Sequence, residues 1–107
     1  MPTKITVTYD NPTDPDAFET HYAEAQERLA AALPGALHLE TSKVWPKEDG
    51  TPTPKYRTVE IYFPDYDTAA AAVTTPAAQA FVTDVFRLGA PVTMLFSEVR
   101  TSTALTR

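Results

Sequence analysis

The hydrophobic residues of this chain change period in one order: strand, helix, strand, strand, helix, strand. Lys4 to Tyr9 alternates, with Ile5, Val7 and Tyr9 on one side and Lys4, Thr6 and Thr8 on the other. A helical stretch follows, opened by Asp10-Asn11-Pro12-Thr13-Asp14-Pro15 and stopped by Leu33-Pro34-Gly35. Thr13 or Asp14 caps it, and Phe18, Tyr22, Ala25, Leu29, Ala32 and Leu33 make its buried stripe. Glu19, Glu24, Gln26, Glu27 and Arg28 read as the outward face. Leu37 to Trp45 and Tyr56 to Phe63 alternate again around a stiff polar loop holding Pro46, Pro52 and Pro54, which reads as a long hairpin. Pro64 ends the third strand. Asp65 or Asp67, and then Thr75-Pro76, start two short helices, the second anchored by Phe81, Val85 and Leu88. Gly89-Ala90-Pro91 turns into a last strand, Val92 to Val99, and Arg100 to Arg107 reads as a polar, mobile tail.

Right-handed crossovers between parallel neighbours turn that order into an α+β, ferredoxin-like βαββαβ sandwich with strand order 4-1-3-2. The sheet is antiparallel, and both helical crossovers lie on one face. The aliphatic side, Ile5, Val7, Leu37, Leu39, Val59, Ile61 and Phe63, is expected under the helices. The other face then carries Thr6, Thr8, His38, Glu40, Ser42, Thr58, Glu60 and Tyr62. The last strand is apolar on both sides, and the expectation places Met94 and Phe96 on this same open face. A chain of 107 residues forms one domain spanning 1–107 and has nothing left to cover that face, so a second copy, a ligand or both are expected there. Met94, Phe96 and Tyr62 supply the apolar ground for expecting a homodimer.

Composition removes several function classes. Hydrophobic content of 43% excludes disorder, and no apolar run reaches the roughly 20 residues of a membrane span. The strand pattern begins by Lys4, which leaves no room for a signal peptide, so a cytoplasmic location is the expectation. A net charge of −5 argues against nucleic-acid and anionic-membrane partners. The chain has no cysteine, and its three glycines, Gly35, Gly50 and Gly89, each fall at a turn rather than in a phosphate loop. Two histidines among scattered acids give no metal pattern, and no cofactor is expected.

Several segments together resemble the EthD family of dimeric α/β-barrel proteins. They are Tyr9-Asp10-Asn11-Pro12, Phe18-Glu-Thr-His21-Tyr22, Leu33-Pro34-Gly35, the Asp49-Gly50 loop, Glu60-Ile61-Tyr62-Phe63 and Val92-Thr-Met-Leu-Phe-Ser-Glu98. The resemblance covers about Thr3 to Val99. It implies a homodimer whose sheets pack face to face, and a role in degrading or tailoring small organic molecules, often beside oxygenases. One departure stands out. Family members place a histidine in a His-x-Pro-Leu setting before the Leu-Pro-Gly, whereas this chain has Gln26-Glu27-Arg28-Leu29. Glutamine hydrogen-bonds but does not titrate.

His38 and Glu60, on adjacent strands and the same face, read either as a proton shuttle or as a structural ion pair in a dimer core. Tyr9, Tyr22 and Tyr62 offer phenols to a carbonyl substrate, though buried tyrosines more often supply area and bond the backbone. Tyr9, Tyr22, Gln26, Tyr62, Met94 and Phe96 complete the expected pocket. His21 reads as a boundary residue and Trp45 as a lid or dimer contact. Two functions remain open. One is cofactor-free acid–base or oxidoreductase-type chemistry on an apolar or aromatic compound. The other is a non-catalytic ligand-binding or accessory module for a partner oxygenase.

Overall fold

The computed structural model describes residues 1–106; Arg107, the end of the expected tail, lies outside the described residues. Seven elements follow the chain: β1 (Thr3–Tyr9), α1 (Pro15–Ala31), β2 (His38–Lys43), β3 (Arg57–Phe63), α2 (Tyr66–Ala72), α3 (Pro76–Arg87) and β4 (Val92–Glu98). The strands form one antiparallel sheet in the order β2-β3-β1-β4. The fold is therefore ferredoxin-like α+β, with the expected strand order and a second crossover split into two helices.

Local chemistry accounts for the boundaries. Asp14, in extended conformation, accepts a hydrogen bond from the Ala17 amide at 3.1 Å, and Pro15 occupies the first helical turn, where its missing N–H costs nothing. Asp65 caps α2 through the Thr68 amide at 2.8 Å, and Thr75 caps α3 through the Ala78 amide at 3.2 Å. Gly35 takes a φ of +81°, which a side chain resists, and its α-carbon faces the Thr68 methyl so closely that no Cβ fits.

The core lies between the sheet and the helices. Ile5, Val7 and Tyr9 of β1 and Val59, Ile61 and Phe63 of β3 meet Phe18, Tyr22, Ala30 and Leu33 from α1 and its C-terminal end, Ala69 and Ala72 of α2, and Phe81 and Val85 of α3. Helix α1 runs beside α3 and over β2, whereas α2 covers β1 and β3.

Three expectations about facing are corrected. Gln26 is not on the outward face of α1: it is fully buried, on a stripe made by Phe18, Tyr22, Gln26 and Ala30, while Ala32 is exposed. Strict spacing by four outweighs polarity here because Tyr9 supplies the glutamine with a partner. Met94 and Phe96 are not on the open face. Their cross-strand partners are Val7 and Ile5, which point at the helices, so both point to the helix side, and Leu95, opposite Thr6, faces the open side. The register follows from the turn. Asp10 donates to the Pro91 carbonyl at 2.9 Å, Val92 enters against the core, and the period of two carries Met94 and Phe96 along with it. They lie at the sheet edge, 37% and 43% exposed, where Phe96 meets the Tyr66 ring of α2 at 5.9 Å. Leu37, expected in the core, precedes β2 and is exposed.

Candidate functional site

The open face of the sheet carries a continuous polar row. Register places Glu40 directly opposite Glu60, and His38 opposite Tyr62. Glu60 also pairs across with Thr6, and Lys4 with Tyr62. Side-chain contacts join these groups in the order Lys4, Glu60, Tyr62, Glu40, His38. Lys4 Nζ donates to Glu60 Oε2 at 3.4 Å. The Tyr62 hydroxyl lies 3.1 Å from Glu60 Oε2 and 3.3 Å from Glu40 Oε1. His38 Nε2 stands 3.4 Å from Glu40 Oε2, with its ring 5.5 Å from that of Tyr62. Lys4 Nζ also sits 5.9 Å above the Tyr62 ring.

Two cross-strand carboxylates repel each other, and a phenol between them has a single proton to give. Tyr62 therefore donates to one carboxylate at a time, and the second contact becomes a hydrogen bond when a further proton enters the pair. Burial, followed by the bonds to Glu60 and then the negative charge of both carboxylates, pushes the Tyr62 phenol up to about 12. At neutral pH it is a donor and not a base. The row thus offers one ammonium, one phenolic donor, two carboxylates and one imidazole, all half-buried or exposed on a single surface.

Of the residues expected in the site, His38, Glu60 and Tyr62 come together here. His38 and Glu60 do not touch directly; they are diagonal in the register and connect through Tyr62 and Glu40. Glu40 and Lys4 complete the row; the sequence showed Glu40 only as a member of the open face and Lys4 only as an alternating residue of the first strand. The signal that singles them out is the β2–β3 and β1–β3 register. Around the row the face is lined by Thr6, Thr8, Ser42, Thr58, Thr93 and Ser97, with Leu95 as its aliphatic member. It is more polar than expected, because Met94 and Phe96 are absent from it, and the apolar ground for dimerisation is correspondingly smaller.

Tyr9, Tyr22 and Gln26 lie on the other side of the sheet, under the helices. The Tyr9 hydroxyl donates to Gln26 Oε1 at 2.5 Å, with both residues fully buried. Burial raises the Tyr9 phenol well above its ordinary value, and the neighbouring Tyr22 and Asp84 add to the rise. Tyr22 stacks on Phe18 at 6.0 Å and carries the Arg57 guanidinium over its ring at 4.2 Å. Arg57 in turn grips Glu19 with two bonds, of 2.6 and 3.0 Å, and Tyr56 adds a third at 2.9 Å. The Arg57 bonds, opposed by desolvation and aided by Tyr56, hold the Glu19 carboxyl below its usual range. His21 is exposed beside Glu24 and Arg87, and Trp45 is 88% exposed in the loop after β2. Among the described residues no cluster of three or more His, Cys, Asp or Glu side chains is placed to hold a metal ion. Among them, too, no helix is long and apolar enough to cross a membrane.

Residues 10–87 match the EthD domain. The chain belongs to the EthD family. An uncharacterised 11.0 kDa protein from the thcB-thcC intergenic region of Rhodococcus erythropolis is 30% identical over 99 residues, covering 92% of this chain and 95% of its relative. Among solved structures, an EthD family protein from Bacillus halodurans superimposes with a TM-score of 0.83 at 24% identity, covering 92% of this chain and 99% of the other. A dimeric ferredoxin-like protein of unknown function from Thermobifida fusca gives 0.69 at 18% identity, with 92% of each chain covered. SnoaB, a cofactor-independent oxygenase from Streptomyces nogalater, gives 0.61 at 16% identity, with 94% of each covered. These three structures share the fold with this EthD chain.

Proposed function

We propose that two copies of this EthD chain pack their open sheet faces together, and that the enclosed space takes a small organic molecule with an apolar or aromatic body and a carbonyl or hydroxyl group. The observation that carries this reading is the row from Lys4 to His38, in which one phenolic proton serves two carboxylates. Such a row accepts a donor from a ligand or an extra proton, and Tyr62 polarises a ligand oxygen. Protons then move through Glu60 and, by way of Glu40, His38. Because the face is rich in threonine and serine, the two sheets meet through polar and water-bridged contacts rather than a dry core. The dimeric neighbour from Thermobifida fusca and the cofactor-independent oxygenase SnoaB, which share the fold, support the assembly and the absence of a need for a cofactor, respectively.

Glu60→Gln removes a carboxylate while keeping its shape, and His38→Ala removes the imidazole. With a substrate found by screening aromatic carbonyl and hydroxyl compounds, each variant is expected to lose turnover by roughly 10²-fold or more, the scale of general acid–base catalysis. Wild-type rates in both variants refute the proton path. A monomeric mass by light scattering at micromolar concentration refutes the assembly.

A second reading has its own observation. Gln26 stands where the family resemblance implies a histidine, and here it is buried and held by Tyr9. That favours a non-catalytic module that binds a small molecule or supports a partner oxygenase in a degradative or tailoring pathway. Ligand binding at the same face without turnover supports it.

A further inference from the structure

Under the helices, on the side of the sheet away from the row just described, three nearly inaccessible polar atoms have no partner among the described residues. They are Gln26 Nε2, Asp84 Oδ2 and the Tyr22 hydroxyl, in residues that are 0%, 5% and 4% exposed. The amide nitrogen is a donor, the carboxylate oxygen an acceptor, and the hydroxyl serves as either. The orientation of Gln26 is set, since its Oε1 accepts from Tyr9 and its amide nitrogen is left to donate elsewhere. Asp84 is half satisfied: Oδ1 accepts from Arg87 Nε at 2.9 Å and from Arg87 Nη2 at 2.7 Å.

The two residues come to the same level of α1. Arg87 Nη2 donates to the His21 carbonyl at 3.0 Å, and its Nη1 reaches Glu24 at 3.3 Å, so the Asp84–Arg87 pair sits against residues 21–24. A long side chain on a helix leans back over the preceding turn, which carries Gln26 toward that same stretch. Asp84 also acts on the Tyr9 phenol, to which Gln26 is bonded.

A buried polar atom without a partner costs about 1–3 kcal/mol, and a carboxylate oxygen costs more. Two such atoms of complementary kind, a donor on α1 and an acceptor on α3, are a large cost against a domain whose whole stability is about 5–15 kcal/mol. A single hydroxyl that accepts from the amide and donates to the carboxylate removes both costs, and a water molecule does both with one oxygen.

We propose that Gln26 Nε2 and Asp84 Oδ2 form a buried binding site for one water molecule, bridging α1 and α3, and that this water completes a polar relay from the core to the surface. The relay runs from Tyr9 to Gln26, through the water to Asp84, and on through Arg87 to His21 and Glu24. It is independent of the open-face reading, and it gives Asp84, an acid inside the helix–sheet layer, a structural purpose.

A crystal structure of the full chain at a resolution that shows ordered water tests the proposal. The expected result is a water within hydrogen-bond distance of both Gln26 Nε2 and Asp84 Oδ2. Direct pairing of those atoms with each other or with other protein groups, with no water between, overturns it. Magnetic relaxation dispersion of water nuclei gives a second readout in solution. Asp84→Asn keeps an oxygen for the water and is expected to retain the long-lived hydration signal, whereas Asp84→Leu is expected to lose it. Equal signals from wild type and a folded Asp84→Leu overturn the proposal, and if that variant does not fold, the wild-type crystal structure alone decides.

Discussion

Removing one hydroxyl from the centre of the molecule is the sharpest test of how its core is built. Tyr9→Phe deletes the oxygen that donates to Gln26 Oε1 at 2.5 Å and changes little else, since the ring remains edge-on to Phe18 at 5.3 Å. Both partners are fully buried, so solvent cannot replace the lost bond, and Gln26 Oε1 becomes an orphaned acceptor. The penalty for such an orphan is about 1–3 kcal/mol. Gln26→Leu orphans the Tyr9 hydroxyl instead and carries a similar cost. The double variant Tyr9→Phe/Gln26→Leu removes both ends of this bond at once, so neither is left unpaired by loss of the other, and only the cost of losing the Gln26 amide on its Asp84 side remains. The double variant is therefore expected to be more stable than the sum of the single losses predicts, with a coupling of about 0.5–3 kcal/mol. Urea denaturation followed by circular dichroism measures it. With a slope of about 1–3 kcal/mol/M, a loss of about 2 kcal/mol moves the midpoint by about 1 M. Strictly additive losses, or a Tyr9→Phe midpoint within experimental error of wild type, refute the claim that this bond is a buried structural pair.

Three further expectations follow from the geometry. Spectrophotometric titration should show one tyrosine on the open face ionising near 12, and Glu60→Gln should bring that transition down toward the ordinary phenol value of 10.0, because a negative acceptor is removed; an unchanged curve counts against the Tyr62–Glu60 contact. Glu19 is held below its ordinary value of 4.5 chiefly by Arg57, so its contribution to stability is complete above about pH 4.5 and disappears as the pH falls through its lower folded value. Urea unfolding midpoints should accordingly differ less between wild type and Glu19→Gln at pH 3 than at pH 6, and a constant difference would sink this assignment. Gly35→Ala meets both a positive φ and the Thr68 methyl, and should cost at least about 1 kcal/mol in thermal or urea unfolding, whereas Gly50→Ala, with the same sign of φ but open space, should cost less; equal losses refute the steric part.

Much of the fold was legible because it is written in local terms. Period two over Lys4–Tyr9 and Arg57–Phe63, the cap Asp14-Pro15, the cap Thr75-Pro76 and the turn at Gly35 each specify their own segment without reference to distant residues. Right-handed crossovers then leave one strand order. Where the reading failed, the deciding partner was remote. Gln26 looks like a surface residue on any helical wheel, and only Tyr9, seventeen positions earlier and on another element, makes its burial acceptable. Met94 and Phe96 flank an equally apolar Leu95 on the opposite side of the strand, and the β1–β4 register settles which set faces the helices.

The candidate site divides in the same way. The sequence pattern puts His38 with Glu40 and Glu60 with Tyr62, each pair on one side of its strand, because side chains along a regular strand alternate, and the aliphatic residues between them assign both pairs to the open face. Tertiary structure decided which of them meet: the β2–β3 register sets Glu40 rather than His38 opposite Glu60, and β1 brings Lys4 to the end of the row. The reason is physical. Alternation is a property of one strand's covalent geometry, whereas contact depends on a register chosen by the whole core, where a slip of one residue would turn Val59, Ile61 and Phe63 out into water.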